Sequence, residues 1–262
     1  MMEGDLSDLL KDPTVVIEDW SSGGSEVAHK LSLTDVSRCA DILALRIAES
    51  TGHSITTTYE DDTEHNAVHG VISISGDLSV DLIVAMVAVV RSGRPFLLLD
   101  PALPLERLRY QMDDVCCLTL LVCCQALPAP AGLTEGRACI PFDATALLES
   151  VSLAEDVDYA PGSVTSLRAS SSAAELAYVC FTSGSTGRPK GVAVHHGALY
   201  SYARANARAH RIGDGSRVLL ASAVSFDPII GEAWTALGAP LSEARFGPGK
   251  NRRVTCTHSH TS

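Results

Sequence analysis

One stretch of this chain constrains its fold and its chemistry more than any other. It begins as an apolar run over 176–181, which is short enough for a buried strand, and changes at Thr182 into residues that are all hydroxyl-bearing or glycine. The loop ends in Pro189-Lys190-Gly191, and a second apolar step follows at 192–194. Glycines let backbone N–H groups converge on an anion, hydroxyls add donors, and the lysine adds positive charge. The sequence therefore predicts a phosphate-binding loop formed by Thr182, Ser183, Gly184, Ser185, Thr186, Gly187 and Lys190.

The order of residues separates this loop from a Walker A motif. That motif requires adjacent Gly and Lys followed by Ser or Thr, whereas here Pro189 precedes Lys190 and Gly191 follows it. The alternative is a solvent-exposed Gly/Ser turn. A bare turn requires neither the preceding strand nor the Pro-Lys-Gly exit, so phosphate binding is the favoured interpretation.

The ordered run from Tyr178 to Val192 resembles the signature loop of the adenylate-forming enzymes. These are the acyl-CoA synthetases, firefly luciferase and the adenylation domains of nonribosomal peptide synthetases. The run departs from the family pattern only at Phe181, which stands in the place of a tyrosine. The resemblance implies that the loop holds the β- and γ-phosphates of ATP, supplied with Mg²⁺ in the complete enzyme, while a carboxylate attacks the α-phosphorus.

A second segment, 91–114, is similar to the peptide-synthetase branch of that family, which activates amino acids. It departs from the branch pattern at Arg94, Pro95 and Phe96, and we expect it to serve packing. The matching residues are Gly93, Leu99, Asp100, Pro101, Pro104, Glu106, Arg107 and Leu108.

The third match surrounds Asp227. Phe226, Asp227 and Glu232 agree with a family pattern in which Ile229 replaces a serine. The resemblance implies that Asp227 meets the amino group of an amino-acid substrate, and a carboxylate suits an ammonium partner. The alternative is that Asp227, which precedes a proline, caps the following helix. One residue can do both. Upstream, His195 and His196 could approach the nucleotide or simply begin a helix.

Alternating strand and helix patterns predict an α/β fold with a mostly parallel sheet flanked by helices. Thr34 or Asp35 is expected to cap the first helix, and 125–174 is expected to be a surface excursion with short strands. Thr56 to Tyr59 is a possible short strand. The predicted helices are 31–50, 78–91, 105–114 and from about 195 to 210, and the predicted strands are 70–75, 95–99, 115–124, 176–181 and 216–222.

Composition excludes several classes of function. A length of 262 residues with 46% hydrophobic residues favours a globular protein. The net charge of −11 argues against nucleic acid as the main partner. The longest apolar run, 78–90, is interrupted by Asp81, so a membrane partner is not expected, and cytoplasmic residence is the default. None of the eight cysteines forms a CxxC pair, so buried packing is favoured over zinc or redox chemistry, and no metal-ligating residue is assigned.

Three regions are expected along the chain. Residues 1–30 form a polar lead-in, 31–241 form a partial AMP-binding (adenylation) domain, and 242–262 form a disordered, non-homologous tail. The family elements that contact adenine and ribose find no counterpart here, nor does the C-terminal lid with its catalytic lysine. Lys190 is not that lysine, so no catalytic residue is assigned, and we expect a truncated N-terminal fragment.

The implied function is ATP-dependent activation of a carboxylic acid, chiefly an amino acid, as an acyl-adenylate. The acyl group would then pass to a thiol on a phosphopantetheine carrier or CoA, with this chain an incomplete and inactive fragment of such a ligase. Two alternatives stay open. One is a non-catalytic product that binds ATP weakly or binds a protein partner, and the other is a fragment of a fatty or aryl acyl-CoA synthetase.

Overall fold

The computed structural model describes residues 15–20, 27–51, 70–124, 129–153, 173–183, 188–212, 218–238 and 253–258. The strand predicted at 56–59 lies outside these ranges. The described strands are β1 (Val15–Trp20), β2 (Val27–Ser32), β3 (Ile72–Ser75), β4 (Phe96–Leu99), β5 (Thr119–Cys123), β6 (Ala138–Phe142), β7 (Leu176–Thr182), β8 (Lys190–His195), β9 (Val218–Leu219) and β10 (Arg253–His258). The helices are α1 (Leu33–Thr51), α2 (Val80–Arg91), α3 (Leu105–Asp114), α4 (Ala144–Leu153), α5 (His196–Ala209) and α6 (Pro228–Gly238).

A six-stranded sheet in the order β6-β5-β3-β4-β7-β8 organises the described part of the chain. Strands β3 to β7 run parallel to their neighbours, and only β8 is antiparallel. The prediction of a mostly parallel sheet flanked by helices is therefore confirmed. In such sheets, ligands bind at the carboxyl ends of the strands, which is the edge where the loop after β7 emerges.

Alternating side chains of the strands enter two separate cores. Ile72 and Ile74 of β3 pack with α1 and α2 on one face, whereas Leu97 and Leu99 of β4 pack with Leu108 of α3 on the other. The sheet is thus covered on both faces, which is why β4 is a continuous apolar run and why the two serines of β3, Ser73 and Ser75, are buried as well.

Helix α2 is buried along its whole length because it contacts α1, α4 and strands β3, β4 and β5. Two charged groups lie within it, and both have structural partners. Asp81 is fully buried and accepts the backbone N–H of Ala144, at the start of α4, at 2.9 Å. Arg91 donates to the Asp41 carboxylate of α1 at 2.7 Å, and to the carbonyl and hydroxyl oxygens of Ser37 at 2.6 and 2.7 Å.

A second sheet, in the order β2-β1-β10-β9, is antiparallel and was not predicted. Strands β1 and β2 lie within and at the border of the expected polar lead-in. Strand β10 lies in the expected disordered tail, where Val254 and Cys256 pair with Asp19 and Ile17 of β1. Strand β9 covers only part of the predicted strand at 216–222, and it joins this sheet through β10. Cross-strand pairing with a partner far away in sequence supports these short segments of mixed polarity as strands.

Other predicted elements were corrected in detail. Ser32 caps α1, not Thr34: its hydroxyl accepts the N–H of Asp35 at 3.1 Å, and the Asp35 carboxylate accepts the Ser32 N–H at 3.0 Å. The predicted strand at 115–124 is shorter. Cys116 has a positive φ of 48°, and Leu118 is 72% exposed before β5 begins. The region 125–174 contains the expected short strand, β6, but also the unpredicted helix α4.

No helix within the described ranges has both the length and the apolar character needed to cross a bilayer. The predicted boundaries at 30 and 241 remain predictions.

Candidate functional site

The predicted phosphate loop lies at the tip of a β-hairpin. Thr182 at the end of β7 pairs with Lys190 at the start of β8, and the Thr182 hydroxyl donates to the Lys190 carbonyl at 3.4 Å. The chain therefore returns as an antiparallel strand. A Walker A loop, in contrast, leads into a helix. The hydroxyls of Thr182 and Ser183 lie on exposed residues, as does the Lys190 ammonium, so all three are accessible to an anion. Gly184, Ser185, Thr186 and Gly187 lie outside the described residues.

Helix α3 contacts the hairpin next to the loop, at Phe181 and Pro189. The Tyr110 hydroxyl donates to the Pro189 carbonyl at 3.1 Å, and the Tyr110 ring meets Phe181 edge to face, with ring centroids 6.4 Å apart. Gly191 sits on the same cluster, because a Cβ there would lie 3.4 Å from both Phe181 and Val179. The aromatic residue that departs from the family pattern thus has a packing role beneath the loop exit.

Asp227 lies beside β7 and points its carboxylate at that strand. It precedes α6, yet its Oδ1 accepts a hydrogen bond from the Tyr178 hydroxyl at 2.8 Å. The Cys180 thiol donates to the Val192 carbonyl at 3.8 Å, and burial followed by the charge of Asp227 raises the pKa of this thiol to about 12. Burial, and then the hydrogen bond to Asp227, also raise the pKa of Tyr178 above its usual range. Both groups are therefore protonated donors at neutral pH.

The two candidate sites share one face of one strand. Tyr178, Cys180 and Thr182 alternate along β7, so their side chains point to the same side of the sheet. Thr182 follows Cys180 by two residues, a rise of about 7 Å along the strand. Asp227 thus bonds to the face of β7 that also carries Thr182, which follows Tyr178 by about 13 Å along the strand.

Glu232 anchors the segment that leads to Asp227. Its Oε2 accepts the backbone N–H groups of Ala221 and Ser222 at 3.0 and 3.4 Å, and its Oε1 accepts the Ser222 hydroxyl at 2.6 Å. The neighbouring Gly231 packs under Tyr202 of α5, because a Cβ there would lie 2.4 Å from that ring. Glu232 therefore fixes the approach of the chain to α6, and Asp227 is displayed at the start of that helix.

The two histidines lie at the opposite end of the hairpin. His195 pairs with Leu176 at the beginning of β7, about 20 Å from Thr182 by strand rise. Its Nδ1 lies 2.6 Å from the Ala174 carbonyl, and His196 is buried at the first turn of α5. Of the two interpretations left open by the sequence, this placement favours a role at the start of the helix.

Sequence reasoning missed the roles of Tyr178 and Tyr110, and it named Glu232 only as a match to the family pattern. A signal existed for Tyr178, because a tyrosine in a buried strand must find a partner for its hydroxyl. For Tyr110 the partner is the backbone carbonyl of Pro189, 79 positions away, which leaves no pattern in the sequence. The family pattern marked Glu232 but did not indicate that it bonds to Ala221 and Ser222.

Comparison with known proteins identifies the family to which this arrangement belongs. A family model described as AMP-binding enzyme matches residues 66–240. The chain belongs to the AMP-binding enzyme family. The matched range contains the hairpin loop, Tyr178 and Asp227, so the resemblance found in the sequence is confirmed.

Curated proteins that are similar to this chain include two large synthetases. AMB antimetabolite synthetase AmbB from Pseudomonas aeruginosa is 37% identical over 156 residues, which cover 60% of this chain and 11% of that protein. A linear gramicidin synthase from Brevibacillus parabrevis is 32% identical over 237 residues, which cover 83% of this chain and 3% of that protein. The chain therefore spans only a small part of the length of these relatives.

Solved structures share the fold. The nonribosomal peptide synthetase FmoA3, in its α-methyl-L-serine-AMP bound form, has a TM-score of 0.66 at 18% identity, covering 92% of this chain and 23% of that chain. Holo-PA1221, a nonribosomal peptide synthetase protein containing adenylation and PCP domains, has a TM-score of 0.57 at 24% identity, covering 81% of this chain and 31% of that chain. Both have the fold of the chain described above.

Proposed function

We propose that this chain supplies the phosphate loop and the amine-binding carboxylate of an enzyme that activates an amino acid with ATP. The observation that carries the proposal is the shared face of β7, where Tyr178 bonds to the Asp227 carboxylate and Thr182 begins the predicted loop. A phosphate-binding loop alone fits any enzyme that uses a nucleotide. A carboxylate held on the same face of that strand adds a site for an ammonium group, and an amino acid carries both an ammonium and a carboxylate.

The residues present fit ATP as the phosphate donor. Thr182 and Ser183 offer exposed hydroxyls, and Arg188 and Lys190 place two exposed cations on the other side of the hairpin tip. Such donors hold polyphosphate oxygens and offset their charge. Among the described residues, no group of three or more His, Cys, Asp or Glu side chains could hold a metal ion. In the complete enzyme, Mg²⁺ would bind oxygens of these phosphates.

In the proposed reaction, an oxygen of the substrate carboxylate attacks the α-phosphorus of ATP. The bond from the α-phosphorus to the bridging oxygen breaks, and pyrophosphate leaves. Asp227 binds the substrate ammonium and thereby fixes the direction of the carboxylate. Thr182, Ser183 and Lys190 bind the leaving phosphates, where negative charge accumulates, so they contribute by positioning and electrostatics. No described residue is proposed to act as a general acid or base.

The product would be an aminoacyl-adenylate, whose acyl group then passes to a thiol. The relatives support a carrier-bound thiol, since holo-PA1221 joins an adenylation domain to a PCP domain. A structural neighbour bound to α-methyl-L-serine-AMP supports an aminoacyl-adenylate as the intermediate.

Amino-acid-dependent exchange of labelled pyrophosphate into ATP tests this function. The complete protein should support exchange with at least one member of a panel of amino acids, and Asp227→Ala should raise the KM for that amino acid. Absence of exchange with every amino acid and every unaminated acid would favour a non-catalytic role. Exchange with an unaminated fatty or aryl acid, unaffected by Asp227→Ala, would favour an acyl-CoA synthetase.

A further inference from the structure

The contact between Tyr178 and Asp227 joins a buried side chain, packed in the sheet, to an exposed carboxylate. The Tyr178 side chain is buried in the sheet at 5% exposure, and its ring stacks on Phe96 of β4 with centroids 5.6 Å apart and an interplanar angle of 22°. Phe96 is itself fully buried. Asp227, in contrast, is exposed at the beginning of α6. The hydroxyl therefore reaches the carboxylate from a ring whose orientation is fixed by packing on both sheet and core.

We propose that Tyr178 is a positioning residue that directs the Asp227 carboxylate toward the amino group of the substrate. This inference rests on the proposed function. The Tyr178 hydroxyl occupies Oδ1 of Asp227 at 2.8 Å, which leaves Oδ2 to receive the ammonium. An aspartate just before a helix commonly turns back to cap that helix, and the bond to β7 holds this side chain away from that conformation.

The energetic effect follows from preorganisation. An exposed carboxylate samples several rotamers, and a ligand that selects one of them must offset the lost freedom. A neutral hydroxyl donor fixes the rotamer and leaves the negative charge in place, so the ammonium keeps its attraction. The neighbouring Cys180 thiol donates to the Val192 carbonyl, so the hydrogen bond to Asp227 from this face of β7 comes from Tyr178.

The placement on β7 also predicts which ligand is affected. The phosphate loop begins at Thr182 on the same strand, but its described contacts are to Lys190 and, through Pro189, to Tyr110. None of these involves the Tyr178 hydroxyl. Removing that hydroxyl should therefore weaken binding of the amino acid and leave binding of ATP intact.

The test compares Tyr178→Phe with Tyr200→Phe in the complete protein. Tyr200 is a matched control, because its hydroxyl accepts a hydrogen bond from Arg204 at 2.8 Å on α5, and the pair does not touch Asp227. Pyrophosphate exchange gives KM values for the best amino acid, for ATP and for the analogue of that amino acid lacking the amino group. A hydrogen bond to a charged group corresponds to about ten- to one-hundred-fold in binding.

We expect Tyr178→Phe to raise the amino-acid KM at least ten-fold, with the KM for ATP and for the unaminated analogue within two-fold of the parent. In an Asp227→Asn background, the same change should add less than two-fold, because the two residues act as one unit. The inference fails if Tyr178→Phe matches the parent, if Tyr200→Phe has the same effect, or if the ten-fold effect persists in the Asp227→Asn background.

A second measurement does not depend on activity. The chain labelled with ¹³C at Cζ of tyrosine gives a Tyr178 resonance, identified by its loss in Tyr178→Phe. Asp227→Asn should move that resonance and leave the Tyr200 resonance in place. An unmoved Tyr178 resonance overturns the inference even if exchange succeeds. A moved resonance together with failed exchange for all acids instead removes the proposed function on which the inference rests, and so overturns the positioning role.

Discussion

Replacing Asp41 by alanine should destabilise the chain by about 3 kcal/mol, because it removes the carboxylate opposite a buried guanidinium. The Arg91 side chain is only 7% exposed and that of Asp41 is 16% exposed, and their charged atoms lie 2.7 Å apart. Breaking one side of a buried pair costs about 3–5 kcal/mol. The lower end applies here, since Arg91 keeps two hydrogen bonds to Ser37. For a chain of this length, the loss corresponds to roughly 6–12 °C in Tm.

Graded substitutions separate charge from hydrogen bonding. Asp41→Asn keeps an acceptor for Arg91 and should cost about 1 kcal/mol, the difference between a charged and a neutral hydrogen bond. Replacing both residues, as in Asp41→Leu with Arg91→Met, should cost less than either single change, because no charge is then left in the interior. The exposed pair of Arg109 and Glu135 is the control. Its side chains are 40% and 76% exposed, so Glu135→Ala should cost less than about 1 kcal/mol.

Urea unfolding followed by intrinsic fluorescence measures these costs, because the Trp234 side chain is fully buried and should report unfolding. The slope of the unfolding free energy with urea must stay constant across the series for the comparison to hold. The reasoning is refuted if Asp41→Ala costs less than about 1 kcal/mol, the range of an exposed pair. It is equally refuted if the double variant costs the sum of the two single variants, since the residues would then not be coupled.

Three further predictions concern the site and the thiols. Tyr110→Phe removes the hydrogen bond to the Pro189 carbonyl and should raise the KM for ATP by about two- to ten-fold, with the amino-acid KM unchanged in pyrophosphate exchange. Burial raises the pKa of Cys39 from 9.0 to about 12, so above pH 9 the unfolded chain releases a proton that the native chain retains. Stability to urea should therefore fall as pH rises from about 9 to 12, and less steeply in Cys39→Ala. Under native conditions, a thiol reagent should label exposed cysteines quickly and buried ones only on unfolding; the exposed set is Cys116, Cys124 and Cys139, and the buried set is Cys39, Cys117 and Cys123.

Each of these has a contrary outcome. Equal effects of Tyr110→Phe on both substrates would indicate a general loss of packing beneath the hairpin. An identical alkaline slope in the parent and Cys39→Ala would mean that other groups carry the pH dependence. Rapid native labelling at Cys123 would contradict the placement of β5 in the interior of the sheet.

The parts of the fold that the sequence predicted are those governed by local pattern. The helix at 105–114 was predicted with the bounds that the structure gives, because Pro104 and an amphipathic spacing both mark it. The helix α4 was missed although Asp143 marks its start. The Asp143 carboxylate accepts the N–H of Ala146 at 2.9 Å, a capping signal that the surrounding prolines obscured.

Features that depend on residues far apart in the chain could not be predicted from the sequence. Strand β10 forms where its own residues are polar, because β1 supplies the opposite edge from more than two hundred positions away. The Tyr178 and Asp227 contact likewise joins residues 49 positions apart. The sequence could nominate Asp227 through its resemblance to a family, but the tyrosine that directs it becomes visible only when β7 and α6 are placed side by side.

The hairpin that carries the predicted phosphate loop allows nucleotide affinity and folding free energy to change independently. Because Thr182 and Lys190 are held together by the strand ladder, the ends of the loop are joined whatever residues lie between them. The hydrogen bonds between β7 and β8 offset the entropy cost of closing the loop, and this cost grows only slowly with loop length. Exchange of the intervening residues for those of another family member should therefore alter nucleotide affinity with little change in folding free energy. The residues between Thr182 and Lys190 can then be exchanged without changing the strands that hold them.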